Sequence, residues 1–219
     1  MQASVSEVPP ERGLILSYAP DAGREGLGAL LALDDSLASL LRTTSEPALG
    51  QLRLAWWREA LAKLDQTAAP AEPTLQWLER SVVGRGVPGQ SLVPIVHGWE
   101  VLIEEERLDR AALERFGAGR AQLFLAAGIV MGADPGDPLL EAGQGWALAD
   151  LAAHLTRSEE AEAARHMARP FLADATGRKW SRNGRALGAM THLASMSLED
   201  RSGAVGRVGR LLWHRLSGR

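Results

Sequence analysis

The sequence predicts an all-α, single-domain helical bundle, and three observations carry that expectation. Apolar residues recur at three- and four-residue steps along most of the chain, as one face of a helix requires. Helix-start and helix-stop signals punctuate the chain at intervals of about 10–25 residues. No run of alternating apolar and polar residues reaches strand length, and one Tyr and three Phe leave few of the aromatics that sandwiches favour. The 219 residues, 46% hydrophobic and 23% charged, suffice for a buried core. Without cysteine there is no disulfide framework and no thiolate-held metal.

The elements follow in order. Asp21 is placed to cap a helix carrying Leu27, Leu30, Leu31, Leu37, Leu40 and Leu41. Ser45-Glu46-Pro47 combines a capping hydroxyl, an early acid and a first-turn proline, and it opens a helix with Leu49, Leu52, Trp56, Ala60 and Leu64 on one stripe. A third helix is expected over 73–83, stopped by Gly84 and Gly86, and a fourth over 88–106 with Val96, Trp99 and Ile103 inward. Asp109 caps a fifth that ends at Gly132, and residues 134–138 form a turn. A sixth carries Trp146, Leu148, Leu151 and Leu155. Residues 159–168 read as a helix that kinks or stops at Pro170, which lacks an amide donor. Residues 181–185 are a loop, and two last helices span 185–197 and 202–216.

Several chemistries are excluded by pattern. There is no phosphate-binding glycine loop, and the glycines at 117–119 lack a strand–turn–helix context. The five histidines show no metal-ligand spacing, and no serine nucleophile elbow is present. Asp150 and His154 sit one turn apart and read as an exposed hydrogen-bonded pair. Nine basic residues in 176–219 face only Glu199 and Asp200, so this end carries +7 and the rest −10 of the net −3. That asymmetry suits an anionic partner, but no nucleic-acid recognition motif accompanies it, so nucleic acid is not the expected partner. Residues 202–217 form a basic amphipathic stretch that either docks onto the bundle or meets a membrane peripherally. No secretory signal is visible, and a cytoplasmic location is expected, with peripheral membrane contact as the alternative should 202–217 not dock onto the bundle.

The most informative string is Gln51-Leu-Arg-Leu-Ala-Trp-Trp-Arg-Glu-Ala-Leu61. Arg53 and Trp57 are one turn apart and Arg58 extends the basic stripe, which would suit a diphosphate or an acidic partner beside an apolar chain. The alternative makes Trp56 a core filler and pairs the arginines with Asp34, Asp35 or Glu59. This string resembles the signature of the squalene/phytoene synthase family, and more narrowly a divergent branch of short relatives. Leu30-Leu-Ala-Leu-Asp-Asp-Ser-Leu37 and Gly143-Gln-Gly-Trp-Ala-Leu-Ala-Asp-Leu151 sit where that family places two acidic helices, and the resemblance covers about residues 26–155.

The resemblance implies an isoprenoid-synthase fold and, in active members, head-to-head condensation of prenyl diphosphates. There, Asp-x-x-x-Asp motifs on facing helices hold Mg²⁺, which neutralises the leaving diphosphate. The candidate catalytic acids are Asp34, Asp35 and Asp150, with Glu159 as a relocated fourth; Arg53, Trp57 and Arg58 are the candidate ligand- or partner-binding residues. The chain departs from the motif. Asp34 is followed four residues on by Ala38, Asp35 by Ser39 and Asp150 by His154, and adjacent Asp34 and Asp35 point about 100° apart on a helix. Two functions are thus expected: a relative that binds a prenyl diphosphate, another lipidic ligand or a protein partner without catalysis, or an Mg²⁺-dependent prenyltransferase.

Overall fold

In a computed structural model, described for residues 10–199, 211, 214, 215, 217 and 218, the chain is all-helical, with no strand among the described residues. Its elements are α1 (Pro10–Tyr18), α2 (Asp21–Thr43), α3 (Pro47–Lys63), α4 (Pro73–Ser81), α5 (Val93–Glu104), α6 (Arg110–Met131), α7 (Leu139–His154), α8 (Ser158–Gly177) and α9 (Arg185–Glu199). Short 3-10 turns at Val83–Arg85 and Gly89–Leu92 join α4 to α5. Among the described residues, no helix is long and apolar enough to cross a membrane.

Helix α6 is the hub. It packs on α2, α5 and α7, while α8 and α9 cover α7, α3 lies on α5, α4 on α2, and α1 bridges α2 and α9. One continuous apolar cluster runs through these contacts, from Leu27 and Leu30 through Phe116 and Phe124 to Leu187. As expected, the Asp109 carboxylate caps α6 by accepting from Ala112 N at 2.8 Å, and Gly132 ends it in the left-handed conformation (φ 67°). The turn at 134–137 is closed by Gly136 N donating to Asp134 Oδ1 at 2.8 Å.

Close backbone approach sets how α5, α6 and α7 meet. A Cβ on Gly119 would lie 2.6 Å from the Pro94 carbonyl oxygen and 2.7 Å from Gly98 Cα, and one on Gly143 would lie 2.9 Å from Ala121 Cα. These are helix-packing glycines, and Gly98 and Gly119 immediately precede Trp99 and Arg120 in sequence.

Several expectations are corrected. Helix α1 was not anticipated. Pro20 occupies the N-cap of α2, with Asp21 its first residue, and no side chain caps it; Glu46, also without a capping bond, stands where Ser45 was expected to cap α3. The segment 88–106 divides into a 3-10 turn and α5. Helix α8 continues through Pro170. The bond Pro170 forgoes is to the His166 carbonyl, and Pro170 is exposed, while Ala161, Ala164, Ala168, Leu172 and Ala175 keep an unbroken buried stripe against the bundle. The amphipathic stretch proposed for 202–217 lies for the most part outside the described residues.

Candidate functional site

The two acidic segments do meet, and what lies between them is an arginine. Arg120, at mid-length on α6, is 2% exposed. Its Nε donates to Asp34 Oδ1 at 3.0 Å and its Nη2 to Asp34 Oδ2 at 2.6 Å, a bidentate fork. Its Nη1 reaches Asp150 Oδ2 at 2.8 Å and, more weakly, the Ala147 carbonyl at 3.5 Å. Trp99 completes the Asp34 carboxylate by donating its Nε1–H to Oδ1 at 2.9 Å. Helices α2 and α7 therefore contribute one carboxylate each to a single guanidinium carried by α6.

Aromatic rings enclose the guanidinium. The Arg120 Cζ lies 4.5 Å from the centre of the Trp99 ring, 4.4 Å from that of Trp146 and 5.3 Å from that of Phe116. Trp99 and Phe116 meet edge to face at 5.7 Å. Such stacking favours a cation, each contact by about 0.5–2 kcal/mol when desolvated. Burial opposes the charge, yet the two aspartates outweigh it and hold Arg120 above its already high pKa, so it stays a cation.

This cluster floors a cavity of about 570 Å³. Its walls are mainly apolar, including Leu31, Leu41, Leu102, Leu155 and Met190, and its rim carries Arg12, Asp35, Arg42 and His154. Asp35 points away from Asp34, as the 100° offset required, and pairs with Arg12 of α1. His154 Nδ1 sits 2.8 Å from the Asp150 backbone carbonyl, on an exposed ring. The arginines Arg12, Arg42 and Arg120 and the aspartates Asp34, Asp35 and Asp150 around the cavity cancel in formal charge.

Not every candidate belongs to this place. Glu159 is exposed, 3.5 Å from Arg107, and does not line the cavity. No group of three or more His or acidic residues that could hold a metal ion occurs among the described residues. Arg53, Trp57 and Arg58 also lie off the cavity. Trp57 is buried and Trp56 exposed, the reverse of the core-filling role given to Trp56: the buried stripe of α3 is Gly50, Leu54, Trp57 and Leu61. Of the expected stripe, Leu49, Leu52 and Trp56 are exposed while Ala60 and Leu64 are buried, because three- and four-residue steps fit either face of this helix.

Arg53 is exposed and donates to Thr44 Oγ1 at 3.2 Å. Arg58 pairs with Glu100 at 2.9 Å rather than with Asp34, Asp35 or Glu59, at an angle that forms no hydrogen bond; Glu59 pairs with Lys63. Burial pushes the Glu100 carboxyl above its ordinary pKa, against the opposing charges of Arg58 and His97, while Glu104 adds to the rise. The folded state thus holds this proton more tightly than the unfolded chain. The stability it confers is complete below the ordinary glutamate range and is lost as pH rises through the raised folded value. Glu100→Gln is expected to raise Tm relative to the parent above about pH 5, with the gap closing in more acidic buffer; parallel Tm–pH curves would contradict this.

Arg120 itself escaped the sequence reading, although it is the centre of the site. One signal was present: an arginine on the apolar face of α6, between Phe116 and Leu123–Phe124, demands buried acids elsewhere. No protein-family model matches the chain, and comparison with curated proteins and with solved structures likewise produces no match.

Proposed function

We propose that this chain is a non-catalytic relative of the squalene/phytoene synthases that holds a lipidic ligand in the cavity above Arg120. The observation that carries this reading is the Asp34–Arg120–Asp150 bridge. In a prenyltransferase, facing carboxylates must be open to hydrated Mg²⁺. Here a fixed guanidinium supplies the positive charge, and a divalent cation would have to displace a side chain bonded at all three nitrogens.

The remaining space suits an apolar chain. A volume of about 570 Å³ falls in the ordinary range for small-ligand sites. Balanced formal charge over the cavity lining as a whole favours a neutral or zwitterionic head over a diphosphate, so a prenol or similar amphiphile fits better than a prenyl diphosphate.

Trp99 and Trp146 stand in the cavity wall and report on its contents. Titration with geranylgeraniol is expected to change tryptophan emission saturably, and Ala38→Trp, which fills the cavity from α2, is expected to abolish the change. Incubation with farnesyl or geranylgeranyl diphosphate and Mg²⁺ is expected to release no diphosphate. Release that disappears in Asp34→Asn or Asp150→Asn would establish the enzyme instead, and an emission change unaltered by Ala38→Trp would remove the cavity from the reading.

A further inference from the structure

A second concavity, at the C-terminal end of α1, collects positive charge. It is lined by Ser17 and Tyr18 of α1, by Asp21, by Arg182, Asn183 and Arg185 leading into α9, and by Arg215, and it encloses about 490 Å³. We propose that this cleft binds a phosphate or diphosphate group, the anionic end of a phosphorylated ligand.

Three guanidiniums line one cleft, and none of them forms an ion pair among the described residues. The acid present, Asp21, is already paired with Arg24 at 2.7 Å. Arg185 donates through Nη1 to the Arg215 carbonyl at 2.7 Å, which ties the two arginine segments together, but its Nε is buried without a partner. Guanidiniums offer donors in the fork geometry that phosphate oxygens accept.

Tyr18 is the independent observation. Its side chain lines the cleft at 8% exposure, and its hydroxyl is a buried polar atom without a hydrogen-bond partner. A buried hydroxyl left unsatisfied costs free energy, and an anion oxygen would satisfy it. Burial raises the Tyr18 pKa, partly offset by the Arg215 guanidinium 5.2 Å from its ring, so at neutral pH the hydroxyl keeps its proton and can donate.

The segment carrying Arg182 is held in place by bonds to Asp137 and Gly132, neither of which lines the cleft. Asp137 accepts from Ser181 N at 2.8 Å and from Ser181 Oγ at 2.5 Å, and Asn183 Nδ2 donates to the Gly132 carbonyl at 2.9 Å. The cleft is therefore largely formed before a ligand arrives. It also lies at the N-terminal end of α9, where the helix dipole adds positive potential. Part of the basic excess of the C-terminal region thus has a definite place.

The test is calorimetric titration of the full chain with inorganic phosphate and with pyrophosphate, in buffer free of divalent cations. A parallel arm measures sedimentation with phosphatidylcholine vesicles with and without about 20 mol% phosphatidic acid, which separates a free phosphorylated ligand from a lipid headgroup. Saturable pyrophosphate binding, or binding to the phosphatidic acid vesicles alone, is the expected result. Arg182→Gln/Arg215→Gln is expected to weaken it at least about tenfold at unchanged Tm, as loss of two charge-assisted contacts requires. Tyr18→Phe is expected to weaken it about threefold or more while the ligand-free Tm holds or rises, which rescues the test if the double variant folds poorly. Ala38→Trp is expected to leave it intact. Binding unaffected by the cleft substitutions, binding lost in Ala38→Trp, or no saturable binding in any arm overturns the proposal.

Discussion

Arg120→Met is expected to destabilise the protein by about 3–5 kcal/mol, because it leaves the buried Asp34 carboxylate, and beside it the partly exposed carboxylate of Asp150, with no compensating cation. For a chain of this length that corresponds to a fall in Tm of roughly 8–15 °C. The cost belongs to the stranded acids more than to the lost bridge, since a buried ion pair is often worth little more than its apolar replacement. Neutralising the acids in the same chain should therefore restore most of the loss. In Asp34→Asn/Arg120→Met/Asp150→Asn, the carboxamide oxygen introduced at position 34 still accepts from Trp99, and the new thioether side chain lies between the Trp99 and Trp146 rings. Chemical and thermal unfolding of the single and triple variants measures this directly. If the triple variant is no more stable than Arg120→Met, the carboxylates are not the source of the penalty, and the guanidinium matters through its stacking alone.

A substitution at Gly119 should be nearly as damaging, by a different route. In Gly119→Val the new Cβ would meet the Pro94 carbonyl oxygen at 2.6 Å and Gly98 Cα at 2.7 Å, both of them backbone atoms with no rotamer to relieve the clash. Helices α5 and α6 must then move apart, and the expected cost is about 3 kcal/mol or more, at or above the upper end for overpacking. The functional consequence is specific, because Gly98 and Gly119 hold Trp99 and Arg120 in register. Geranylgeraniol binding by any folded fraction should weaken together with stability. Gly13→Ala provides the control: nothing lies within 4 Å of its added Cβ, and alanine at this exposed position of α1 should raise stability by about 0.5–1 kcal/mol. Equal Tm values for the two variants would refute the close-packing account of the α5–α6 contact.

The helices were legible from local pattern because helix formation is governed by residues three and four apart. Asp109 and Gly132 marked both ends of α6 correctly, and the 134–137 turn followed from its Asp, Pro and Gly content. Where local patterns conflict, tertiary packing decides between them. The stripe expected for α3 placed Trp56 inward, but α5 packs on the neighbouring face, which buries Trp57 and leaves Trp56 outside. Pro170 looked like a stop, but the buried alanine stripe of α8 outweighed one missing hydrogen bond on the exposed face.

For the site, the acidic positions Asp34, Asp35 and Asp150 were visible, together with their failure to form one-turn pairs. What no spacing disclosed was the partner that joins them. Arg120 is 86 residues from Asp34 and 30 from Asp150, and a contact at that separation leaves no local periodicity to read. The acids and the capping residues are written along the chain, whereas the bridge between α2, α6 and α7 exists only because glycines let the helices approach closely enough for one guanidinium to serve two carboxylates. Short-range propensity is a property of neighbours in sequence; neutralisation of a buried charge is a property of neighbours in space.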